Sequence, residues 1–124
     1  MLMKVKINEK ENSKVAVIES SDILINEPQD ALDLMATITH LHDCNKIVIS
    51  KAPITESFFD LKTGIAGEIL QKFSNYQMKL AIVGDFSNYN SKSLRDFIFE
   101  SNKGSQVFFL SSEEEAIERL HNAK

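Results

Sequence analysis

The sequence predicts an α/β domain with a mixed, mostly parallel sheet. Two alternating segments flank a polar turn near the N terminus, three short apolar segments follow, and segments of helical periodicity separate them. Alternation at period two predicts a β-hairpin, whereas compact apolar strands between helices are typical of a parallel sheet covered on its faces. The predicted order is β-β-α-β-α-β-α-β-α. At 124 residues, we expect one domain over residues 1–124.

The strands are predicted from their apolar residues. Residues 3–7 and 14–18 form the hairpin, and the polar residues between them supply its turn. Three further strands are predicted at 46–50, 79–84 and 106–110, where apolar residues run without interruption. These three strands are expected to form the buried centre of the sheet.

The first helix is predicted to begin near Pro28, because the N–H that proline lacks has no helical partner in the first turn. Its apolar residues recur at helical spacing and predict one buried stripe. The members of that stripe are Ala31, Leu34, Met35, Ile38 and Leu41.

The remaining helices are predicted at 63–76, at 91–102 and after two overlapping capping boxes, Ser111 with Glu114 and Ser112 with Glu115. In the helix at 63–76, one face is expected to be buried. That face comprises Ile65, Ile69, Leu70 and Phe73, while Gly64, Ala66 and Gly67 are expected to allow close approach to the sheet.

The composition excludes several classes of function. The net charge is −4 with no dense basic stretch, so we expect no nucleic-acid binding. Cys44 is the only cysteine, which fits a reducing cytosol. The alternating N terminus does not resemble a signal peptide, and no apolar run approaches the roughly 20 residues of a membrane span. We therefore expect a cytoplasmic protein that does not associate with membranes.

The most metal-like cluster is formed by His40, His42 and Cys44. A structural zinc site needs four ligands, and no second pair of ligands lies nearby in the sequence. Histidines also suit the negative end of a helix dipole, so we interpret this segment as a helix end and expect no metal and no cofactor. Cys44 with a nearby histidine leaves open a small thiol-dependent hydrolase or transferase, although the residues favour a non-enzymatic protein.

The topology predicts a functional surface at the carboxyl edge of the sheet, where ligands and partners meet the loops that follow parallel strands. We expect Asp60, Lys62 and Thr63 in the loop after the third strand to lie beside Asp85 and Ser87 in the next loop. The predicted helix start at Thr63-Gly64 exposes unpaired N–H groups that suit an anion. An ordinary helix cap at Thr63 explains the same residues.

The segment Asp60-Leu-Lys-Thr63-Gly64-Ile65, after the strand Ile47-Val-Ile-Ser, resembles the STAS domain of anti-sigma-factor antagonists and sulfate-transporter tails. That family has Asp-Ser-Ser-Gly at this point, and its first serine is the phosphate acceptor. Aligning Thr63-Gly64 with Ser-Gly places Lys62 at the acceptor position, so the resemblance implies a phospho-switch at Thr63 instead. The whole chain also resembles a small bacterial family of domains of unknown function.

The leading hypothesis is a non-enzymatic cytoplasmic regulatory module. It engages a protein partner or a small anionic ligand over Asp60, Lys62, Thr63, Gly64, Asp85 and Ser87, and no catalytic residue is assigned. A third hypothesis, beside the thiol-dependent enzyme, is a self-associating dimer. It rests on an exposed apolar patch formed by Phe58, Phe59, Phe86 and Tyr89.

Overall fold

A computed structural model describes residues 3–123, which form one five-stranded sheet and four helices. The elements in chain order are β1 (Met3–Lys10), β2 (Ser13–Ser20), α1 (Pro28–His42), β3 (Lys46–Ser50), α2 (Ile65–Asn75), β4 (Lys79–Val83), α3 (Lys92–Lys103), β5 (Val107–Leu110) and α4 (Glu113–Asn122). Two short 3-10 turns, Glu56–Phe59 and Leu61–Thr63, precede α2. The predicted fold class and element order are confirmed.

The strands lie side by side in sequence order. β1 and β2 pair antiparallel as the predicted hairpin, and β2, β3, β4 and β5 are parallel to one another. Parallel neighbours end at the same edge, so the loops after β3, β4 and β5 all leave the sheet at its carboxyl edge. The predicted location of the functional surface depends on this arrangement.

Both faces of the sheet are covered, but unequally. Successive strand residues point to opposite faces, so Ile47 and Ile49 join one apolar cluster while Val48 joins the other. The larger cluster includes buried residues of α1, α2 and α3, and the smaller one is closed by Ala116 and Leu120 of α4. The strands are therefore continuously apolar because helices cover them on both sides.

The buried stripe of α1 is shorter than predicted. Ala31, Leu34, Met35 and Ile38 are buried, but Leu41 is 66% exposed, so its assignment to the stripe was wrong. The helix ends one residue later at His42, and Asp43 adopts the left-handed conformation with φ of 49°. Leu41 therefore lies in the last turn, beyond the part of the helix that packs on the sheet.

The start of α2 also differs from the prediction. The helix begins at Ile65, because the preceding residue, Gly64, has a φ of +78° and is therefore not helical. Residues with a Cβ rarely adopt this conformation. Thr63 is consequently the last residue of a 3-10 turn and not the helix cap. Gly67 is exposed, and a Cβ at Gly64 or Gly67 would meet nothing within 4 Å. The prediction that these two glycines allow close approach to the sheet was therefore wrong.

At the last helix, Ser112 is the N-cap residue and its hydroxyl accepts from the N–H of Glu115, as one of the two predicted capping boxes requires. Over residues 3–123, the helices are too short or too polar to cross a bilayer.

Candidate functional site at the carboxyl edge

The long loop between β3 and α2 is anchored by two phenylalanines. Phe58 and Phe59 in the first 3-10 turn are 1% and 4% exposed, with ring centroids 5.0 Å apart. The Thr55 hydroxyl accepts from the Ser57 N–H and caps the turn that carries them. These buried rings fix the loop on the sheet, which corrects the expectation that Phe58 and Phe59 form an exposed patch.

Thr63 closes the second 3-10 turn with its side chain. Its hydroxyl lies 2.9 Å from the carbonyl oxygens of both Ser57 and Asp60, to which it donates, and it accepts from the N–H of Ile65 at 3.2 Å. The first N–H of α2 is therefore occupied by Thr63 and is not free for an anion. The hydroxyl joins both 3-10 turns to the start of the helix.

Asp60 and Lys62 lie on the outer side of this turn. A carboxylate oxygen of Asp60 accepts from the backbone N–H of Lys62 at 3.3 Å, and both side chains are exposed. Both residues also line a cleft of about 600 Å³, together with Ser91 and Ser93 at the start of α3. The turn thus presents one carboxylate and one ammonium beside two hydroxyls.

The loop after β4 is stabilised by its own acid. The Asp85 carboxylate accepts from the Ser87 N–H at 2.9 Å and from the Ser87 hydroxyl at 2.6 Å. These hydrogen bonds to the charged form lower the pKa of Asp85 below its usual value, and the Lys51 charge adds a smaller effect. Asp85 therefore remains a carboxylate at neutral pH, exposed at the carboxyl edge.

Lys51 joins the two loops. Its ammonium donates to the backbone carbonyl of Asp85 at 3.0 Å and to the hydroxyl of Tyr89 at 3.4 Å, and it lies 4.8 Å from the centroid of the Tyr89 ring. Tyr89 in turn donates to a carboxylate oxygen of Glu56 at 2.8 Å. The hydrogen bonds from Lys51 to Tyr89 and from Tyr89 to Glu56 therefore connect the end of β3, the loop after β4 and the first 3-10 turn.

An aromatic cluster reinforces this connection. The Phe59 ring stacks on Tyr89 with centroids 5.3 Å apart, and Phe86 lies 5.9 Å from Phe59 and 5.5 Å from Phe109 on β5. Such contacts contribute roughly 0.5–1.5 kcal/mol per pair beyond simple burial. Burial and the Glu56 carboxylate together raise the pKa of Tyr89 to about 12, so its hydroxyl remains a donor at neutral pH.

A second cleft opens on the β5 side of the same edge. It has a volume of about 490 Å³ and is lined by Asp85, Phe86, Ser111 and Glu115 among others. Asp60 and Lys62 therefore face one cleft and Asp85 faces another.

A family model described as a domain of unknown function, DUF4180, matches residues 10–120. The chain belongs to this family. The expected membership in a family of domains of unknown function is thus confirmed. No curated protein matches the sequence.

Among solved structures, the chain is similar to a crystal structure of a candidate anti-sigma factor antagonist from Thermotoga maritima. The two share 14% identity, the match covers 95% of each chain, and the TM-score is 0.45.

The structure brings the predicted residues to one edge but in two groups. Asp60, Lys62, Thr63 and Gly64 belong to the turn before α2, and Asp85 and Ser87 belong to the loop after β4. The bridging contacts are made instead by Lys51, Glu56 and Tyr89, which the sequence reasoning did not assign to the site. The position of Lys51, directly after β3, was the available signal.

The histidine and cysteine segment is placed at the opposite edge. Cys44 is 4% exposed, and its sulfur lies 3.3 Å from the carbonyl oxygens of Lys14 and Lys46. The thiol is therefore buried and donates to backbone carbonyls, which are not bases that could activate it as a nucleophile. Within residues 3–123, there is no group of three or more metal-binding side chains.

Proposed function

We propose that this DUF4180 domain is a regulatory module of the cytoplasm that binds a protein partner at its carboxyl edge, and that this edge carries out no catalysis. The supporting observation is the connection through Lys51, which joins the loops after β3 and β4 into one surface. Loops fixed in this way lose little conformational entropy on binding, and such preorganisation favours affinity.

The exposed side chains of this surface favour a protein over a small anion. Asp60 and Asp85 contribute two negative charges, Lys62 contributes one positive charge, and all three residues are exposed. Lys51 is engaged by the Asp85 carbonyl and by Tyr89, and the first N–H of α2 is bonded to Thr63. A small anion would therefore depend on Lys62 beside a carboxylate, whereas charges of both signs suit the rim of a protein interface.

Thr63 is the proposed switch. Phosphorylation of its hydroxyl would place phosphate oxygens against the carbonyls of Ser57 and Asp60, which now receive its hydrogen bonds. Repulsion between the phosphate and these carbonyls would open the 3-10 turn and change the surface that carries Lys62. The proposed consequence is release of the partner.

The test compares partner capture from the native host by the wild-type chain and by the double variant Lys62→Glu/Asp85→Lys. Glu100→Lys/Lys103→Glu is the matched control, because it reverses two exposed charges on α3 while exchanging the ends of an existing ion pair. We expect proteins retained by the wild type and the control to be lost with Lys62→Glu/Asp85→Lys. Retention of every partner by that variant would show that another surface binds.

The switch is tested in the same assay with Thr63→Asp and Thr63→Ser. We expect Thr63→Asp to lose the partner and Thr63→Ser, which keeps the hydroxyl, to retain it. Equal capture by both variants would contradict a switch at Thr63 without affecting the proposed surface.

A further inference from the structure

A second cluster of polar side chains lies at the opposite edge of the sheet, where β2, β3 and β4 begin. His121 near the end of α4 lies between two residues of the hairpin, with Nδ1 2.8 Å from the Ser13 Oγ and Nε2 2.7 Å from the Asn8 Oδ1. An amide oxygen only accepts, so Nε2 carries the proton and donates to Asn8. Nδ1 is then the acceptor for the hydroxyl hydrogen of Ser13.

Lys46 completes the surroundings of the serine. Its ammonium donates to the Ser13 Oγ at 3.0 Å and to the Ala123 carbonyl at 3.4 Å. Burial, followed by the charges of Lys46 and Lys10, lowers the pKa of His121, and Glu118 opposes this only partly. The imidazole is therefore neutral at neutral pH and able to accept a proton.

The serine faces a cleft of about 420 Å³, a size within the range of small-molecule sites. Among the described residues that line it, Lys14, Lys46 and Lys79 carry positive charge and Asp43 carries negative charge. Three cations and one carboxylate give the lining a net charge of +2. In a chain of net charge −4, this local excess favours a ligand with a negative group.

We propose that Ser13 is a nucleophilic serine that accepts an acyl group from a small anionic ester, with His121 as general base and Asn8 as its positioning residue. The distances from Ser13 to His121 and from His121 to Asn8 are those of a nucleophile, a base and an orienting group. This inference concerns the opposite edge from the proposed binding surface and is independent of it.

The reaction needs only the ester and water. The Ser13 Oγ forms a bond to the ester carbonyl carbon while its proton passes to Nδ1 of His121, and the bond from that carbon to the alcohol oxygen breaks. The departing oxygen takes the proton from Nδ1. Water then adds to the acyl-serine, again giving a proton to Nδ1, and release of the carboxylic acid returns that proton to Ser13. Lys46 stabilises the negative charge that develops on the carbonyl oxygen.

The first test exposes the full chain to a fluorophosphonate, which reacts with base-activated serine hydroxyls, and follows the adduct by intact mass and peptide mapping. We expect one adduct at Ser13 that Ser13→Ala abolishes. Ser20→Ala is the matched control, because Ser20 lies at the other end of β2 with similar partial burial and donates to the Asp22 carbonyl. Absence of an adduct at Ser13 in the wild type would overturn the proposal without reference to any variant.

The second test separates chemistry from structure. His121→Gln should lower the rate of adduct formation on the order of 100-fold or more, the contribution of a general base. Asn8→Leu should shift the midpoint of the pH–rate profile, whereas a purely structural role of Asn8 would leave that midpoint unchanged. Circular dichroism should confirm that both variants fold. An unchanged rate and pH profile in folded His121→Gln would overturn the role of His121.

The third test addresses the substrate class. We expect hydrolysis of 4-nitrophenyl hemisuccinate, which is anionic, to exceed that of neutral 4-nitrophenyl acetate in kcat/KM. Lys79→Met should reduce this preference without abolishing turnover. Equal kcat/KM for the two esters would overturn the assignment of an anionic substrate.

Discussion

The aliphatic stem of Lys51 crosses directly over Gly84. A Cβ built on Gly84 would lie 2.9 Å from both Cγ and Cδ of Lys51, closer than side chains approach one another. The end of the same side chain then reaches the Asp85 carbonyl at 3.0 Å. A Cβ at position 84 would thus force the side chain that joins the two loops to shift.

Gly84→Ala should destabilise the protein by about 1–2 kcal/mol, because the added methyl group must displace the Lys51 stem. In a Lys51→Ala background, the same substitution should cost less than half as much, since the obstructing atoms are gone. The free energy of unfolding from urea titrations of the four proteins measures this coupling. Equal losses in both backgrounds would show that Gly84 is required for another reason.

Thr63→Val should lower the free energy of unfolding by about 1–2 kcal/mol, because it removes the hydroxyl that joins both 3-10 turns to α2. Thr63→Ser should recover most of this loss. Thr37→Val is the control, since the Thr37 hydroxyl donates to the Asp33 carbonyl one turn earlier in the same helix, α1. If Thr37→Val costs as much as Thr63→Val, the turn does not depend on Thr63.

Tyr89 should titrate at about pH 12, whereas its ordinary pKa is 10.0, because burial and Glu56 disfavour the phenolate. The unfolded chain then releases this proton at lower pH than the folded chain, so Tyr89 favours folding below pH 10. That contribution is lost as the pH rises from about 10 to about 12. Absorbance at 295 nm should resolve the late transition, and Tyr89→Phe should remove it. A Tyr89 transition near pH 10 would contradict the hydrogen bond to Glu56.

His121 should make stability fall in mild acid. The pKa of His121 in the folded chain lies below the ordinary 6.5, chiefly because of burial and then because of the Lys46 charge. Just below pH 6.5, the unfolded chain therefore binds a proton at this histidine more readily than the folded chain does. The free energy of unfolding should therefore decrease as the pH falls from about 7 through 6.5, and this decrease should end below the folded pKa. His121→Gln should flatten this part of the pH profile, and an identical profile in the variant would assign the effect to other groups.

The fold could be predicted because its signals are local. Apolar residues that recur every two or every 3.6 residues indicate which face of a strand or helix is buried. This pattern can be recognised within one segment, without knowledge of the rest of the chain. The order of strands and helices followed from these periods and is confirmed by the sheet topology. The boundaries were less accurate: Leu41 continues the helical period of α1 but lies past the sheet, and Gly64 delays the start of α2.

The site could be predicted only in outline. The carboxyl edge follows from parallel strands, and the six residues predicted for the site lie on the two loops there. Their binding role stays a prediction. The residues that join the loops were not predicted, because neither Lys51 with Tyr89 nor Phe59 with Tyr89 is close in sequence.

The α/β class, the element order and the edge at which the loops gather are predictable from the residues alone, since they depend on periodicity and on the direction of strands. The burial of Phe58 and Phe59, the joining of two turns by Thr63 and the contact between His121 and Ser13 become visible only in the folded chain. Distance along the chain explains this difference. Ser13 and His121 are 108 residues apart, and a side chain's partner at that separation exists only after the sheet and α4 have packed.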